Sequence, residues 1–160
     1  MEQEIASIIK FVLEAAGNPQ AYYWKIQQGF ARPSIYFQTP EIDSGGDTVG
    51  TYYMDYMWFL VFFHEDTNKA HAMALAVYEA IKKARNLIPL LDQEGAEIDH
   101  DVRISDLNLR SVDEGAVQLT VRFRSRRPYD RPDVEKMKWL TVHVDGSDIS
   151  WTNKPDAEED

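Results

Sequence analysis

Histidines are the first residues to test for chemistry, because imidazole is a common metal ligand and general base. The chain has four histidines and no cysteine. His64 and His71 are seven residues apart, which fits neither an i, i+4 pair on a helix nor an i, i+2 pair on a strand. The lack of cysteine excludes thiolate-bound zinc, iron–sulfur clusters and thiol catalysis. The sequence therefore predicts no metal site and no cofactor.

Acidic residues beside His64 raise the question of acid–base catalysis. Glu65 and Asp66 follow it directly, but neighbours along a chain do not converge on one point, and Asp66 stands where a helix N-cap is expected. Gly45-Gly46 is not followed by Lys-Ser or Lys-Thr and does not match a phosphate-binding loop. No serine occupies a G-x-S-x-G sequence. We predict that the chain has no catalytic residues and is not an enzyme.

An aromatic segment could form a binding site of another kind. The stretch YYWKIQQGFARPSIYF, Tyr22 to Phe37, holds six aromatic residues, which could bind a flat ligand or pack in a core. Gly29 permits a turn, and a proline favours extended backbone in the residue before it. We interpret the segment as two neighbouring strands joined by the Gly29 turn, with most of the aromatics in the core. These strands are Tyr22–Ile26 and Ser34–Phe37.

Two helices are predicted from apolar residues that recur every three or four positions. The first covers residues 3–16 and ends at Gly17-Asn18-Pro19. The second begins after a cap by Asp66 and continues through Arg85. The remaining chain is rich in β-formers, with a short hairpin at Gly115. Further strands are predicted at Leu87–Leu91, Val102–Val112, Ala116–Ser125 and Met137–Val144.

A polar stretch and a long apolar strand lie between the aromatic segment and the second helix. Thr39–Gly50, TPEIDSGGDTVG, predicts a long loop with a flexible tip at Gly45-Gly46, which we interpret as a contact element. Thr51–His64 has β-formers on both faces and predicts a central strand. Two helices cover one face of such a sheet. The other face should therefore meet a second layer or another subunit.

The order of these elements predicts an α+β fold, an antiparallel or mixed sheet with two helices packed on one face. We assign residues 1–150 to one domain and residues 151–160, which end in DAEED, to an acidic tail that is expected to be disordered. The chain begins without the pattern of a secretory signal. Its longest apolar run, Tyr56–Phe63, is shorter than the about 20 residues of a membrane span. We expect neither export nor a membrane partner.

Charge is distributed unevenly along the chain. The formal net charge is −10, which disfavours a protein that grips nucleic-acid phosphates. Residues Arg122–Arg131 form a basic strip in this otherwise acidic chain. It could contact phosphates, with nearby aromatics stacking on bases, or form half of a charge-complementary protein interface. The interface is favoured, because the RNP-like pattern of sheet-based nucleic-acid binders is absent.

The aromatic segment, the Gly-rich stretch after it and the aromatic strand that runs into the second helix resemble the tail terminator proteins of tailed bacteriophages and of phage-like contractile particles. The similarity covers residues 20–85, where aromatic-x-x-x-QGF-x-RP precedes the tyrosine-rich strand. The first helix and the later strands agree in general arrangement only.

This resemblance implies a structural virion protein that assembles as a ring, typically a hexamer, on the head-proximal end of the tail tube. Such a ring stops tube polymerisation and joins the tail to the neck or connector. Its partners would be further copies of itself, the tail tube protein, the neck protein and, in contractile tails, the sheath protein. DNA would be only cargo in the lumen. The location would be the virion tail, assembled in the cytoplasm of the bacterial host.

Six residues are candidates for the interfaces of such a ring, because each combines a strand or loop position with a side chain typical of interface anchors. Asp55, an acid inside an aromatic strand, should have an arginine partner in its own chain or the next. Trp58 is either an anchor or plain core. The six are Arg32, Asp55, Trp58, Arg122, Arg124 and Arg126.

Two other functions stay open. A head-completion or neck protein shares the small size, acidity and ring assembly of a tail terminator. A nucleic-acid-binding module would use the strip Arg122–Arg131, and its binding would weaken steeply with salt.

Overall fold

The structure, a computed structural model, describes residues 3–25, 29–130, 139–144 and 147–152. The chain divides into two compact units, residues 1–129 and 130–160. In the second unit, β8 (Trp139–Val144) and β9 (Ser147–Thr152) pair as an antiparallel hairpin. β9 extends two residues past the domain end predicted at residue 150, and residues 153–160 of the predicted acidic tail lie outside the described residues.

The described part of the first unit contains two helices and a seven-stranded mixed sheet. The strands follow the order β1-β2-β4-β7-β6-β5, and β3 pairs with β4. This arrangement confirms the predicted α+β fold. The elements are α1 (Gln3–Ala15), β1 (Gln20–Tyr23), β2 (Ser34–Phe37), β3 (Glu41–Thr48), β4 (Thr51–Phe63), α2 (Thr67–Lys83), β5 (Leu87–Leu91), β6 (Glu97–Asp113) and β7 (Ala116–Pro128).

One face of the sheet and both helices enclose the hydrophobic core. Alternate residues of β4 and β7 point to this face, and Trp58, Leu60 and Val121 among them are fully buried. Ile8 of α1 and Val77 of α2 belong to the same buried cluster. The two helices therefore pack on one face of the sheet, as the sequence predicts.

The helices begin and end at residues whose conformations suit caps. The Asp66 carboxylate accepts a hydrogen bond from the Asn68 backbone N–H at 2.7 Å, and α2 begins there. α1 ends because Gly17 adopts a φ of 81° and the Asn18 N–H donates to the Leu13 carbonyl at 2.7 Å. Both predicted helices are confirmed, each one or two residues shorter at its end. Neither described helix combines the length and apolar character needed to cross a membrane.

The stretch predicted as a long loop with a flexible tip is a strand, so that prediction was wrong. β3 pairs with the first half of β4, and the two strands form a hairpin that turns at Val49-Gly50. The low β-propensity of Gly45 is offset by its cross-strand partner, Tyr53, whose side chain lies in the space that a Cβ at residue 45 would need. Pairing with a long aromatic strand therefore decides the conformation of this Gly-rich stretch.

The aromatic segment contributes to two neighbouring strands, as predicted, but they run parallel. β2 has the predicted bounds, whereas β1 is Gln20–Tyr23 and not Tyr22–Ile26, of which Ile26 lies outside the described residues. β1 and β2 pair from Gln20 with Ser34 to Tyr23 with Phe37. Gly29 lies in a turn with a φ of 77°, as predicted, but a tight turn alone cannot join parallel strands.

Phe37 alone among the six aromatics is buried. The prediction that most of them lie in the core was wrong, because Tyr22 and Tyr23 lie on β1, the edge strand, and Trp24 and Phe30 lie outside the strands.

β4 is the central strand that the sequence predicts. It pairs with β7 along one edge, while β3 and β2 share its other edge. Its side chains on the face away from the helices are mostly half-buried, as at Tyr53, Asp55, Met57, Phe59 and Phe63. We call this side of β3, β4 and β7 the open face. That a second layer or subunit covers it stays a prediction.

Candidate interaction surface

Charged residues on the open face form three rows across β3, β4 and β7. Directly paired residues of antiparallel strands point to the same face, with Cβ atoms about 5 Å apart. The register therefore brings side chains from three strands into one patch. The rows of this charged patch are Glu41, Met57 and Arg122; Asp43, Asp55 and Arg124; and Gly45, Tyr53 and Arg126.

Asp55 has the arginine partner that the sequence predicts, and this partner belongs to its own chain. Arg124 donates from Nε to Oδ1 at 2.6 Å and from Nη2 to Oδ2 at 2.7 Å. Two parallel hydrogen bonds fix the geometry of such a pair. The hydrogen bond from Arg124 lowers the pKa of Asp55 below its ordinary value of 3.8, against the opposing effect of desolvation.

Tyr53 holds the same arginine on a second side. The Arg124 guanidinium carbon lies 3.9 Å from the centroid of the Tyr53 ring, within cation–π distance. Tyr53 in turn lies across Gly45. The Arg124 side chain remains 51% exposed although it is held by two neighbours. An immobilised, outward-facing arginine beside an aromatic ring is typical of interface anchors.

The other two arginines of the patch differ in their partners. Arg126 Nε lies 2.6 Å from an Asp47 carboxylate oxygen. No carboxylate of the described residues lies within 4.0 Å of the exposed Arg122 guanidinium. Arg122 Nη2 contacts the Met57 sulfur at 3.3 Å, and thioether sulfur is a weak acceptor. Asp106 of β6 lies directly opposite Arg122 in the sheet register, so Arg122 has an acidic neighbour although no ion pair forms within 4.0 Å.

An open trough of about 770 Å³ lies over the charged patch. Its lining includes Glu41 and Asp43 from β3, Met57 from β4, and Arg122 and Arg124 from β7. Across the part of the chain that is described, no three histidine, aspartate or glutamate side chains are grouped to hold a metal ion. Acids on one side and arginines on the other suit recognition of a charged protein partner.

Two of the six predicted interface residues lie away from the patch. Trp58 is fully buried on the core face, where its Nε1 donates to the Gln38 carbonyl. This is the core placement that the sequence left as the alternative. Arg32 lies at the other end of β4, where Nη1 donates to the His64 carbonyl at 3.0 Å and the guanidinium lies 5.4 Å from the Phe30 ring centroid. The patch brings together the other four, Asp55, Arg122, Arg124 and Arg126.

Sequence reasoning missed other members of the patch. Tyr53 and Met57 stand two positions before and after Asp55, so strand alternation alone would place them on the same face. The sequence gives no comparable indication for Glu41 and Asp43. They lie in the stretch predicted as a loop, where strand alternation does not assign side chains to a face of the sheet. Only the pairing of β3 with β4 places these two acids beside Asp55 and Met57.

Replacing Asp55 with Asn should make stability less dependent on pH. The pKa of Asp55 is lowered in the folded chain, so the ion pair stabilises the fold above the ordinary pKa of 3.8, and this contribution is lost as pH falls through the lower folded pKa. We expect Asp55→Asn to lower the urea midpoint slightly at pH 7, because the pair is about half exposed. The difference from the unmodified protein should narrow in acid.

Glu41→Gln provides the matched control, since Glu41 is an exposed acid of the same patch with no ion pair among the described residues. It should leave the midpoint unchanged at both pH values. An Asp55→Asn difference of equal size at pH 7 and in acid would contradict a stabilising ion pair.

No protein-family model matches the chain. Two proteins of Bacillus subtilis (strain 168), the uncharacterized protein YqbJ and the phage-like element PBSX protein XkdJ, are each 32% identical to it over 133 residues. Each alignment covers 83% of this chain and 90% of the relative.

Among solved structures, a chain from the virion of a native gene transfer agent (GTA) particle is similar with a TM-score of 0.45 and 16% identity, over 78% of this chain and 93% of that chain. A TM-score of this size is too low to assign a fold or a function. The identity to the two Bacillus subtilis proteins extends over most of both chains. The chain therefore belongs to the family that includes YqbJ and the phage-like element PBSX protein XkdJ.

Proposed function

We propose that the protein is a structural virion protein that forms a hexameric ring on the head-proximal end of a phage-like tail tube. The ring stops tube polymerisation and joins the tail to the neck, and to the sheath where the tail is contractile. The observation that carries this proposal is the relationship to XkdJ, a protein of the phage-like element PBSX, over 83% of the chain. The resemblance of residues 20–85 to tail terminators favours a position at the end of the tail.

The hairpin of β3 and β4 supports a role in assembly. Val49 at its turn is fully exposed, and Ile42 on β3 is 49% exposed. Tyr129, which packs against Tyr52 of β4, is 44% exposed. Tyr129 lies at the same end of the hairpin as Val49, because its N–H donates to the Gly50 carbonyl at 3.0 Å, whereas Ile42 lies seven residues before Val49 on β3. Exposed apolar residues of this kind mark sites of protein contact. We infer that this hairpin contacts the tail tube, the neck or an adjacent copy.

The charge of the chain suits a ring through which DNA passes. A net charge of −10 would repel phosphates from an acidic lumen and let the genome slide without binding. Arg124 and Arg126 are paired with Asp55 and Asp47, which weakens the alternative that the basic strip binds nucleic acid. DNA binding at low salt that was lost in Arg122→Ala would instead favour that alternative.

A head-completion or neck protein is the second candidate, favoured by the same relationship to XkdJ and the same exposed charged patch. Such a protein would also be small and acidic and would form rings. The two candidates differ in the partial structure to which they bind: a tail terminator would bind the tail, and a head-completion protein would bind the head.

Fractionation of incomplete particles separates the two candidates. We would tag the protein and purify headless tails and tailless heads from strains blocked in the other branch of assembly. We expect it on headless tails, with antibody label at the end opposite the baseplate in electron micrographs. Recovery on tailless heads, with none on headless tails, would support the neck protein and contradict a tail terminator.

A further inference from the structure

The edge strands of the first unit differ in how well they are protected against another strand. β1 is four residues long and offers little to pair with. At β5, Pro89 has no N–H, and the Leu91 N–H donates to the Ser7 hydroxyl of α1 at 3.0 Å. β3 is eight residues long, contains neither proline nor lysine, and pairs only with β4 among the described strands. β3 is therefore the edge to which another strand can add.

The backbone groups that β3 turns outward belong to its even-numbered residues. The Phe59 carbonyl accepts a hydrogen bond from the Gln38 N–H, so the odd-numbered residues of β4 direct their backbone groups toward the edge that β2 and β3 share. The register pairs these residues with the odd-numbered residues of β3. In agreement, the Ser44 N–H donates to the Asp43 carboxylate at 3.1 Å. The outward groups are those of Ile42, Ser44 and Gly46.

Acidic side chains lie beside this edge on the open face. Glu41 and Asp43 are exposed, and neither has a lysine or arginine within 4.0 Å among the described residues. Asp47, the third acid of β3, pairs with Arg126. A strand added to β3 would lie three strand spacings, about 15 Å, from the arginines of β7. Its nearest charged neighbours would therefore be acids.

These charges disfavour a second copy of β3 as the added strand. Two antiparallel β3 strands would place their odd-numbered residues on one face, so that acids would lie opposite acids, and like charges directly opposite are destabilising. Lysine or arginine at alternate positions of the added strand would instead pair with Glu41 and Asp43. Ile42, on the other face of β3, is 49% exposed and favours apolar residues between the basic ones.

We propose that β3 binds, by strand addition, a strand of the tail component that anchors this protein, and that this strand alternates basic with apolar residues. Backbone hydrogen bonds hold the added strand, and Glu41 and Asp43 select it by charge. A carbonyl of the added strand accepts the Ser44 N–H and releases the Asp43 carboxylate for a basic side chain. This inference rests on the proposed function and names the chemistry of the partner.

Ser44→Pro tests the backbone contact. Because the Ser44 N–H points away from β4, proline there removes an outward donor and no hydrogen bond between β3 and β4. We would measure binding to tail tubes purified from a strain that lacks this protein. We expect an affinity at least about tenfold lower, whereas Ser44→Ala, which keeps the N–H, should bind like the unmodified protein. Unchanged binding by Ser44→Pro with an unchanged urea midpoint would overturn the proposal.

Hydrogen exchange on the unmodified protein tests the same contact without a substitution. The outward amides of β3 have no strand partner among the described residues, so they should exchange rapidly in the free protein. We expect exchange across residues 41–48 to slow at least about tenfold when the protein is bound to tubes, because the added strand accepts these N–H groups. Equal exchange rates in the free and bound protein would show that no strand adds to β3.

Charge reversal tests which strand β3 selects. Glu41→Lys with Asp43→Lys should lower the affinity for tubes about a hundredfold or more, because basic side chains would then oppose basic side chains. Asp113→Lys with Glu114→Lys is the matched control, since it changes the net charge equally and the Asp113 carboxylate also accepts the N–H of the next residue, at 2.8 Å. The control should bind normally. Equal losses in the two double variants would contradict recognition by β3.

Failure of this inference can be told apart from failure of the proposed function. If the unmodified protein binds tubes while exchange across residues 41–48 stays unchanged, strand addition is wrong and the tail function stands. If it binds tailless heads and not tubes, with slowed exchange across residues 41–48 on the heads, strand addition stands and the tail-terminator proposal fails.

Discussion

Trp58→Ala should lower the free energy of unfolding by about 3–5 kcal/mol. The Trp58 side chain is fully buried, its ring lies 5.7 Å from that of Phe37 between centroids, and its Nε1 donates to the Gln38 carbonyl. Alanine would leave a cavity on the core face of β4 and a carbonyl without its donor. Urea unfolding followed by circular dichroism measures the loss.

Trp24→Ala is the matched control for this substitution. Trp24 is 44% exposed, so its removal should change the free energy of unfolding by about 0.5 kcal/mol or less. Similar losses at the two positions would contradict the core placement of Trp58. Loss of assembly in Trp58→Ala with unchanged stability would instead make Trp58 an interface anchor.

Gly115→Ala should lower the free energy of unfolding by about 3 kcal/mol, the second largest effect that we expect. Gly115 has a φ of 68°, and a Cβ there would lie 2.5 Å from the His64 carbonyl oxygen. That oxygen accepts the hydrogen bond from Arg32, and the Gly115 N–H donates to the Thr67 hydroxyl at 2.8 Å. The substitution would therefore disturb the end of β4 and the start of α2 together. The same urea titration measures it.

Gly95→Ala separates backbone strain from this contact. Gly95 also has a positive φ, of 86°, but no heavy atom lies within 4 Å of a Cβ built there. We expect a loss of about 1 kcal/mol, from backbone strain alone. Equal losses at Gly95 and Gly115 would show that the approach of the His64 carbonyl has no energetic consequence.

The elements that the sequence predicts correctly are those stabilised by residues close to one another along the chain. Both helices carry an apolar stripe, and Asp66 and Gly17 cap them by local hydrogen bonds and backbone conformation, so neighbouring residues suffice to locate them. β3 differs, because its conformation depends on pairing with a distant strand. Tyr53 covers Gly45 only once β4 lies beside it. Propensity within the stretch itself therefore predicts a loop.

The candidate surface likewise has some features that the sequence predicts and others that only the folded sheet decides. That Asp55 needs an arginine follows from the presence of an acid in an aromatic strand, whereas the sheet register decides that Arg124 is the partner. β4 is apolar on both faces, so its sequence cannot decide whether Trp58 faces the helices or a partner. The packing of the helices settles that choice in favour of the core.

Electron microscopy of tails from a strain that lacks this protein tests the proposed tail-terminator function most directly. Without the terminating ring, tube subunits should continue to add, so we expect tubes of variable length, many longer than normal, with no heads attached. Expression of the protein in the same strain should restore the normal length. Tails of uniform, normal length that fail only to join heads would contradict termination and would identify a neck protein instead.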